Sequence, residues 1–348
     1  MLTGGTQTSA QDADPVRRAL LIGINEYASA NVPNLRGAVN DVTMLRRILT
    51  TRFGFDEDNV ALLTDADATR DGILDALTDI VEAAGPDDIV YIHYSGHGSQ
   101  ITDANGDEAD DGLDETILPH DARTERIPDI VDDEFERLFS QIDAARTFIV
   151  FDSCNSGTIT RSANAVQARA VPPDTRTELY ENIAITRAVV DVAALTHVLM
   201  TGAPAEEQAL DGPVDDGWYG LFSYSLAQSM DSLGPEATAM AIHDRVRAEL
   251  DEIQQQLLIT APEPQLEGPT AELERPLLAV ARTSATPAPV AASAQAPVAA
   301  PAPVEEVRRA WLPIEPIDAT TVRLLDGLSL NARPGSQWGI YAADETQI

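Results

Sequence analysis

Residues 147–160 read Thr147-Phe148-Ile149-Val150-Phe151-Asp152-Ser153-Cys154-Asn155-Ser156-Gly157-Thr158-Ile159-Thr160. Large apolar residues from Phe148 to Phe151 make a short buried-strand signal, and it runs straight into a small, polar, turn-forming cluster. Cys154, in that cluster, is the only cysteine of the 348 residues. A cysteine that merely fills a core belongs within a strand, not after it among Asp, Ser, Asn and Gly. A second stretch has the same grammar. Asp88 to Tyr94 is a strand run, and Ser95-Gly96-His97-Gly98-Ser99 follows it. Open parallel α/β sheets gather their chemistry at the carboxyl ends of strands, so a thiol and a glycine-flanked imidazole each stand at such an end.

Outward from these two stretches, strands and helices alternate. Arg18 to Ile24 and Asn59 to Thr64 read as strands. An amphipathic helix opens at Asn40-Asp41 over Val42, Leu45, Ile48 and Leu49. Another follows Thr69 over Ile73, Leu77, Ile80 and Val81, and a third lies near 131–141. The alternation predicts βαβ units and a mostly parallel sheet flanked by helices. Further on come a strand over 194–201, helices near 220–230 and 237–258, and a last strand near 264–267. Residues 1–16 read as a disordered tail, 17–280 as the main domain, 281–305 as an Ala/Pro linker, and 306–348 as a partial C-terminal domain or targeting segment. The connection 155–190 is long and polar, which marks it as functional or disordered. It carries Arg161, Arg169, Arg176 and Arg187.

The net charge is -34, and all 23 basic residues are arginine. Nucleic acid is therefore not an expected partner. No apolar run is long enough to span a membrane. The polar N-terminus lacks a signal-peptide pattern, which favours the cytoplasm. One cysteine excludes an intrachain disulfide.

A cysteine nucleophile needs a base within reach and donors for an oxyanion. His97 on a neighbouring strand end supplies the base. Glycines beside it let backbone amides approach a substrate carbonyl. His93, inside its strand, reads as a satisfied core residue. The loop 103–115 has seven acids in thirteen residues and begins D-x-N-x-D, but Glu108 and Asp114 stand where a calcium loop of the EF-hand type needs glycine and glutamate. An EF-hand is rejected.

LLIGINEY, LRGAVNDV, YIHYSGHGSQ, DGLDETILPHD and FDSCNSGT stand in this order in the chain, followed by VLMTGAPAEEQAL and GLFSYSL. The set resembles the caspase-like cysteine peptidases, closest to the metacaspases and the prokaryotic orthocaspases. The resemblance implies a caspase-haemoglobinase fold with a mostly parallel six-stranded sheet. It also implies a catalytic dyad of His97 and Cys154 and an oxyanion hole that includes the amides of Gly98 and Cys154. Asp41, Ser95 and Asp152 match the acidic pocket with which metacaspases take arginine, and lysine secondarily. Calcium is implied as an activating ion, held by Asp111 and Asp114 of the acidic loop with Asp132 and Asp133. The family usually carries histidine where Asn155 stands. The function so implied is an arginine-directed, calcium-stimulated, self-processing endopeptidase acting on peptide or protein chains, as a monomer. The alternatives are a catalytically weak binding module on the same fold and a hydrolase of a non-peptide acyl substrate.

Overall fold

The computed structural model describes residues 15–102, 112–154, 166–180, 183, 197–204, 207–278, 314–316 and 322–324. In chain order the elements are β1 (Arg17–Gly23), α1 (Ala38–Arg52), β2 (Val60–Thr64), α2 (Arg70–Ala83), β3 (Ile89–Ser95), β4 (Gly98–Thr102), β5 (Leu113–Ile117), β6 (Ile130–Val131), α3 (Asp132–Phe139) and β7 (Arg146–Asp152). Then come β8 (Gln167–Ala168), β9 (His197–Thr201), β10 (Leu210–Val214), β11 (Gly217–Gly220), α4 (Leu221–Leu233), α5 (Ala239–Leu257), β12 (Gln265–Glu267) and α6 (Thr270–Leu273). The chain divides into two compact units, 1–283 and 284–348. Within the second, β13 (Ile314–Pro316) pairs antiparallel with β14 (Val322–Leu324).

A six-stranded sheet in the order β12-β9-β7-β3-β1-β2 organises the first unit. Its pairings are parallel except at the edge, where β12 runs antiparallel to β9. Every residue of β3 is buried. That matches its unbroken run Ile-Val-Tyr-Ile-His-Tyr-Ser, because a central parallel strand is covered on both faces. On one face Ala19, Leu21, Tyr91 and Phe148 share a core with α1, α4 and α5 through Val42, Leu45, Leu226, Met230, Ile242 and Val246. On the other, Leu20, Ile22, Val90 and Ile92 meet Ile73, Leu77, Phe135 and Leu138 of α2 and α3. Each fully buried Val, Leu, Ile, Phe or Met among them contributes about 1.5–3 kcal/mol.

The helices and sheet strands lie where the periodicity puts them, with ends shifted by a few residues. Thr69 caps α2 by accepting from the Gly72 amide at 3.1 Å. Two small sheets, β4-β5-β6 and β11-β10-β8, were not legible in the sequence. Their strands run two to five residues and are held by antiparallel pairing.

One contact fixes the geometry above the sheet. A Cβ on Gly23 would lie 2.5 Å from Val42 Cγ2 and 2.6 Å from the Ala38 carbonyl oxygen. The end of β1 and the start of α1 therefore touch backbone to backbone. Asp41, in the first turn of α1, is thereby set over the strand ends.

Candidate active site

Three strand-borne residues and one helix residue converge at the carboxyl edge of the sheet. Ser95 ends β3, Asp152 ends β7, and the two pair across the strands. Asp41 comes from α1 and Asp211 from β10. All four are buried. At their centre lies the fully buried side chain of Arg169, from the connection that follows Cys154.

Its guanidinium is bound on both forks. Nη2 donates to Asp41 Oδ2 at 2.7 Å and to Asp211 Oδ1 at 2.8 Å. Nη1 donates to Ser95 Oγ at 2.6 Å and lies 3.0 Å from Asp152 Oδ2. The carboxylates are themselves held. Asp41 accepts from Ser95 Oγ and the Gly220 amide, Asp152 from the Ser223 amide, and Asp211 from the Arg36 and Gly37 amides and Trp218 Nε1. Gly220 forms a wall that must lack a side chain, since a Cβ there would lie 2.3 Å from Asp152 Oδ2 and 2.6 Å from Arg169 Cζ.

Burial, opposed by Arg169, pushes the Asp41 carboxyl up to about 7, and burial also raises Asp152. Arg169 is held well above its ordinary value: burial works against its charge and the three carboxylates outweigh it. The pocket is thus a site for one strongly cationic, planar group.

The backbone of Arg169 is held as firmly as its side chain. Its carbonyl oxygen accepts from the amides of Gly98 at 2.9 Å and Cys154 at 3.2 Å. Its amide donates to the Ala209 carbonyl at 3.0 Å. Upstream, β8 runs antiparallel to β10, with Ala168 opposite Leu210 and Gln167 opposite Asp211. Downstream, the Val171 amide donates to the Gly98 carbonyl at 3.1 Å and that of Asp174 to Gln100 at 2.9 Å. An extended stretch of the chain therefore threads the cleft, with the Arg169 carbonyl against the Gly98 and Cys154 amides.

His97 and Cys154 stand at the ends of the neighbouring strands β3 and β7. A Cβ on Gly98 would be 2.0 Å from the Cys154 carbonyl oxygen, so the two segments touch here. His97 Nε2 lies 2.7 Å from the Pro33 carbonyl oxygen, an acceptor only, so Nε2 carries the proton. Nδ1 is buried and has no hydrogen-bond partner among the described residues. Burial lowers the His97 pKa to about 4, which leaves the imidazole neutral with Nδ1 as a free base. Cys154 is buried, its Sγ donates to the Ala209 carbonyl at 3.2 Å, and burial pushes the thiol up to about 12. The pair rests as thiol and imidazole rather than as an ion pair.

Residues 17–162 match the family model described as the metacaspase, peptidase C14 domain. Residues 17–162 are thus similar to the metacaspase peptidase domain. Metacaspase-1 of Botryotinia fuckeliana is 43% identical over 150 residues, which is 41% of this chain and 35% of that protein. Metacaspase-7 of Arabidopsis thaliana is 39% identical over 147 residues, 40% of this chain and 35% of that protein. The chain thus spans about a third of the length of these curated metacaspases. A crystal structure of a Geobacter sulfurreducens protein superposes with a TM-score of 0.57 at 25% identity, covering 76% of this chain and 100% of that one.

The sequence-derived residues Asp41, Ser95, His97, Gly98, Asp152 and Cys154 lie together in this cleft. Asp211, Arg169 and Pro33 were missed. Asp211 and Arg169 lie beyond the matched segment. Asp211 follows the block VLMTGAPAEEQAL by one residue, and its acid was the available signal. Arg169 was one of four equivalent arginines until the fold put it in the pocket. Arg176 is instead paired with Asp174, while Arg161, Arg187 and Asn155 fall outside the described residues. His93 is a core residue: its ring lies between Tyr91 Oη and Ser223 Oγ, and burial lowers it to about 3.

Of the acids assigned to calcium, Asp132 and Asp133 open α3 and Asp114 lies in β5; Asp111 lies outside the described residues. Burial first, then the charges of Glu115, Asp133 and Asp114, raises the Asp132 carboxyl to about 8. Among the described residues no three acids stand together as a metal cage.

The resting thiol gives a direct expectation. With a pKa near 12, the thiolate fraction at neutral pH lies about three orders of magnitude below that of a free cysteine. In a His97→Ala chain, which keeps the pocket filled, iodoacetamide should label Cys154 roughly a thousandfold more slowly than it labels the urea-unfolded chain. Equal rates in folded and unfolded protein would show that the thiol is not sealed as described.

Proposed function

We propose that this chain is a cysteine endopeptidase that cuts peptide and protein chains after arginine, with lysine a weaker alternative, and that it cuts itself between Arg169 and Ala170. One observation carries the reading. The carbonyl oxygen of Arg169 receives two converging amides while its guanidinium fills a pocket of three carboxylates. On this reading Cys154 Sγ attacks the Arg169 carbonyl carbon and His97 Nδ1 takes the thiol proton. The Gly98 and Cys154 amides hold the oxyanion, a contribution of about 10²–10³ in rate for each donor. The carbon–nitrogen bond then breaks, and His97 returns its proton to the departing Ala170 nitrogen. Water, deprotonated by His97, finally hydrolyses the thioester and restores the thiol.

Arginine is preferred because its planar fork meets Asp41 and Asp211 through one nitrogen and Asp152 and Ser95 through the other. Lysine offers a point charge to the same groups. Aspartate would meet three like charges. A monomeric enzyme of the cytoplasm is the expected setting, with no role for nucleic acid.

N-terminal sequencing of incubated wild-type protein should find a new end at Ala170. Cys154→Ala and Arg169→Ala should both remove it, and Arg169→Lys should retain it at a rate lower by about tenfold or more. A chain that never cuts, yet keeps the fold, would favour the binding-module alternative.

Calcium belongs to the same proposal. The acids Asp114, Asp132 and Asp133, with Asp111 of the acidic loop, are proposed to hold the ion, whose bound charge would offset the crowding at Asp132. Oxygen donors on such a loop suit calcium better than magnesium. Self-cutting should rise with millimolar calcium, and Asp132→Ala with Asp133→Ala should blunt the rise. An identical rate in chelator-treated, calcium-free protein would remove the ion from the account.

A further inference from the structure

A cut at Arg169–Ala170 does not free the two new ends equally. On the upstream side residues 166–168 are partly exposed; β8 pairs with β10, and Gln167 Nε2 donates to the Asn34 carbonyl at 2.9 Å. On the downstream side Ala170, Val171, Asp174 and Tyr180 are all buried. Val171 belongs to the core cluster that includes Leu118 and Ile130. Tyr180 packs in a cluster of its own with Ile101 and Val131.

Polar contacts reinforce this half. Ser99 Oγ lies 3.1 Å from the Val171 carbonyl and 3.0 Å from that of Pro172. Arg123, itself paired with the buried Asp129, donates from Nη1 to the Pro172 carbonyl at 3.0 Å. The Tyr180 hydroxyl donates to Asp174 Oδ2 at 2.8 Å and accepts from the Asp129 amide at 3.0 Å. Arg176 clasps Asp174 and reaches the carbonyls of Thr124 and Ile127. Burial works to raise the Asp174 carboxyl, but the Arg176 hydrogen bonds outweigh it and hold it down at about 2, so the clasp stays charged. The segment is also bonded in sequence to β9, so it remains at high effective concentration after any cut upstream of it.

We propose that residues 170–180 form a retained plug: self-cutting leaves them seated across the leaving-group side of the cleft, and their departure, not the cut, opens the enzyme to other substrates. The inference rests on the self-cutting reading given above. It has a chemical corollary. A seated Ala170 amine stays beside the thioester, where it can attack the Arg169 carbonyl carbon, pass its proton through His97 to the leaving sulfur of Cys154, and remake the peptide bond in competition with water.

Tyr180 is the residue to test, because its hydroxyl joins the segment to the body at Asp129 and lies far from the reacting atoms in sequence. The full-length chain is incubated until intact mass shows complete cutting at Arg169. Hydrogen exchange at 171–174 and hydrolysis of a small arginyl peptide are then followed in wild type, Tyr180→Phe and Asp174→Asn. Cut wild type should keep its protection at 171–174 and hydrolyse the peptide slowly. The cut variants should lose protection by about fivefold or more, with peptide hydrolysis rising by the same factor, as expected for one or two buried hydrogen bonds. Loss of protection in wild type in step with the cut, with activity rising in parallel, would overturn the inference while leaving self-cutting intact. So would fully cut variants with no gain in either readout. Absence of any cut at Arg169 would instead bring down the self-cutting reading, and the plug with it.

Discussion

A guanidinium enclosed by three carboxylates, in a pocket sealed from water, is the interaction on which the cleft depends. Asp41, Asp152 and Asp211 arrive from a helix, a central strand and a small outer sheet, and Arg169 joins them. Removing one partner from a buried ion cluster typically costs about 3–5 kcal/mol, because the remaining charges are stranded. Here burial, opposed by Arg169, raises the Asp41 and Asp152 carboxyls, and the neighbouring carboxylates add to it. A pocket so built favours an arginine at its centre over water. The chain's own arginine lies closest to hand.

The same contacts set the register of everything nearby. With the guanidinium fixed, the Arg169 carbonyl falls on the Gly98 and Cys154 amides, and the strand segments on either side take their places against β10 and β4. Asp211 ties the pocket to the loop at 33–37 through the Arg36 and Gly37 amides. That loop also carries the Pro33 carbonyl, which sets the His97 tautomer. Charge recognition and imidazole orientation thus share one short piece of backbone. Gly23, Gly98 and Gly220 make the assembly possible by letting backbone approach where a side chain would collide.

Much of this was legible in the sequence, and the limits were physical. The strands ending at Ser95 and Asp152 announced themselves because central parallel strands are apolar throughout, and polar clusters mark where they stop. His97, Cys154, Asp41 and Asp152 followed from that placement and from the family likeness. The strands β4, β8 and β10 did not, since GSQIT, QA and LDGPV show neither an apolar run nor a sustained alternation. Asp211 was missed because its partners come from residues 36, 37, 169 and 218, and no local pattern encodes a contact of that range. The connection read as either functional or disordered. Its described part, 166–180, is held because pocket and cleft supply the partners that its own composition lacks.

Arg169 and the acidic pocket recognise each other in a desolvated site. A double-mutant cycle measures this most directly. It uses Arg169→Gln and Asp152→Asn, in a Cys154→Ala background so that no variant is cut, with stability read from urea unfolding. Buried, hydrogen-bonded charge pairs give coupling energies of about 1.5 kcal/mol or more. A coupling of at least that size is expected between the two positions. Additive losses, within about 0.5 kcal/mol, would mean that Arg169 does not occupy the pocket in solution.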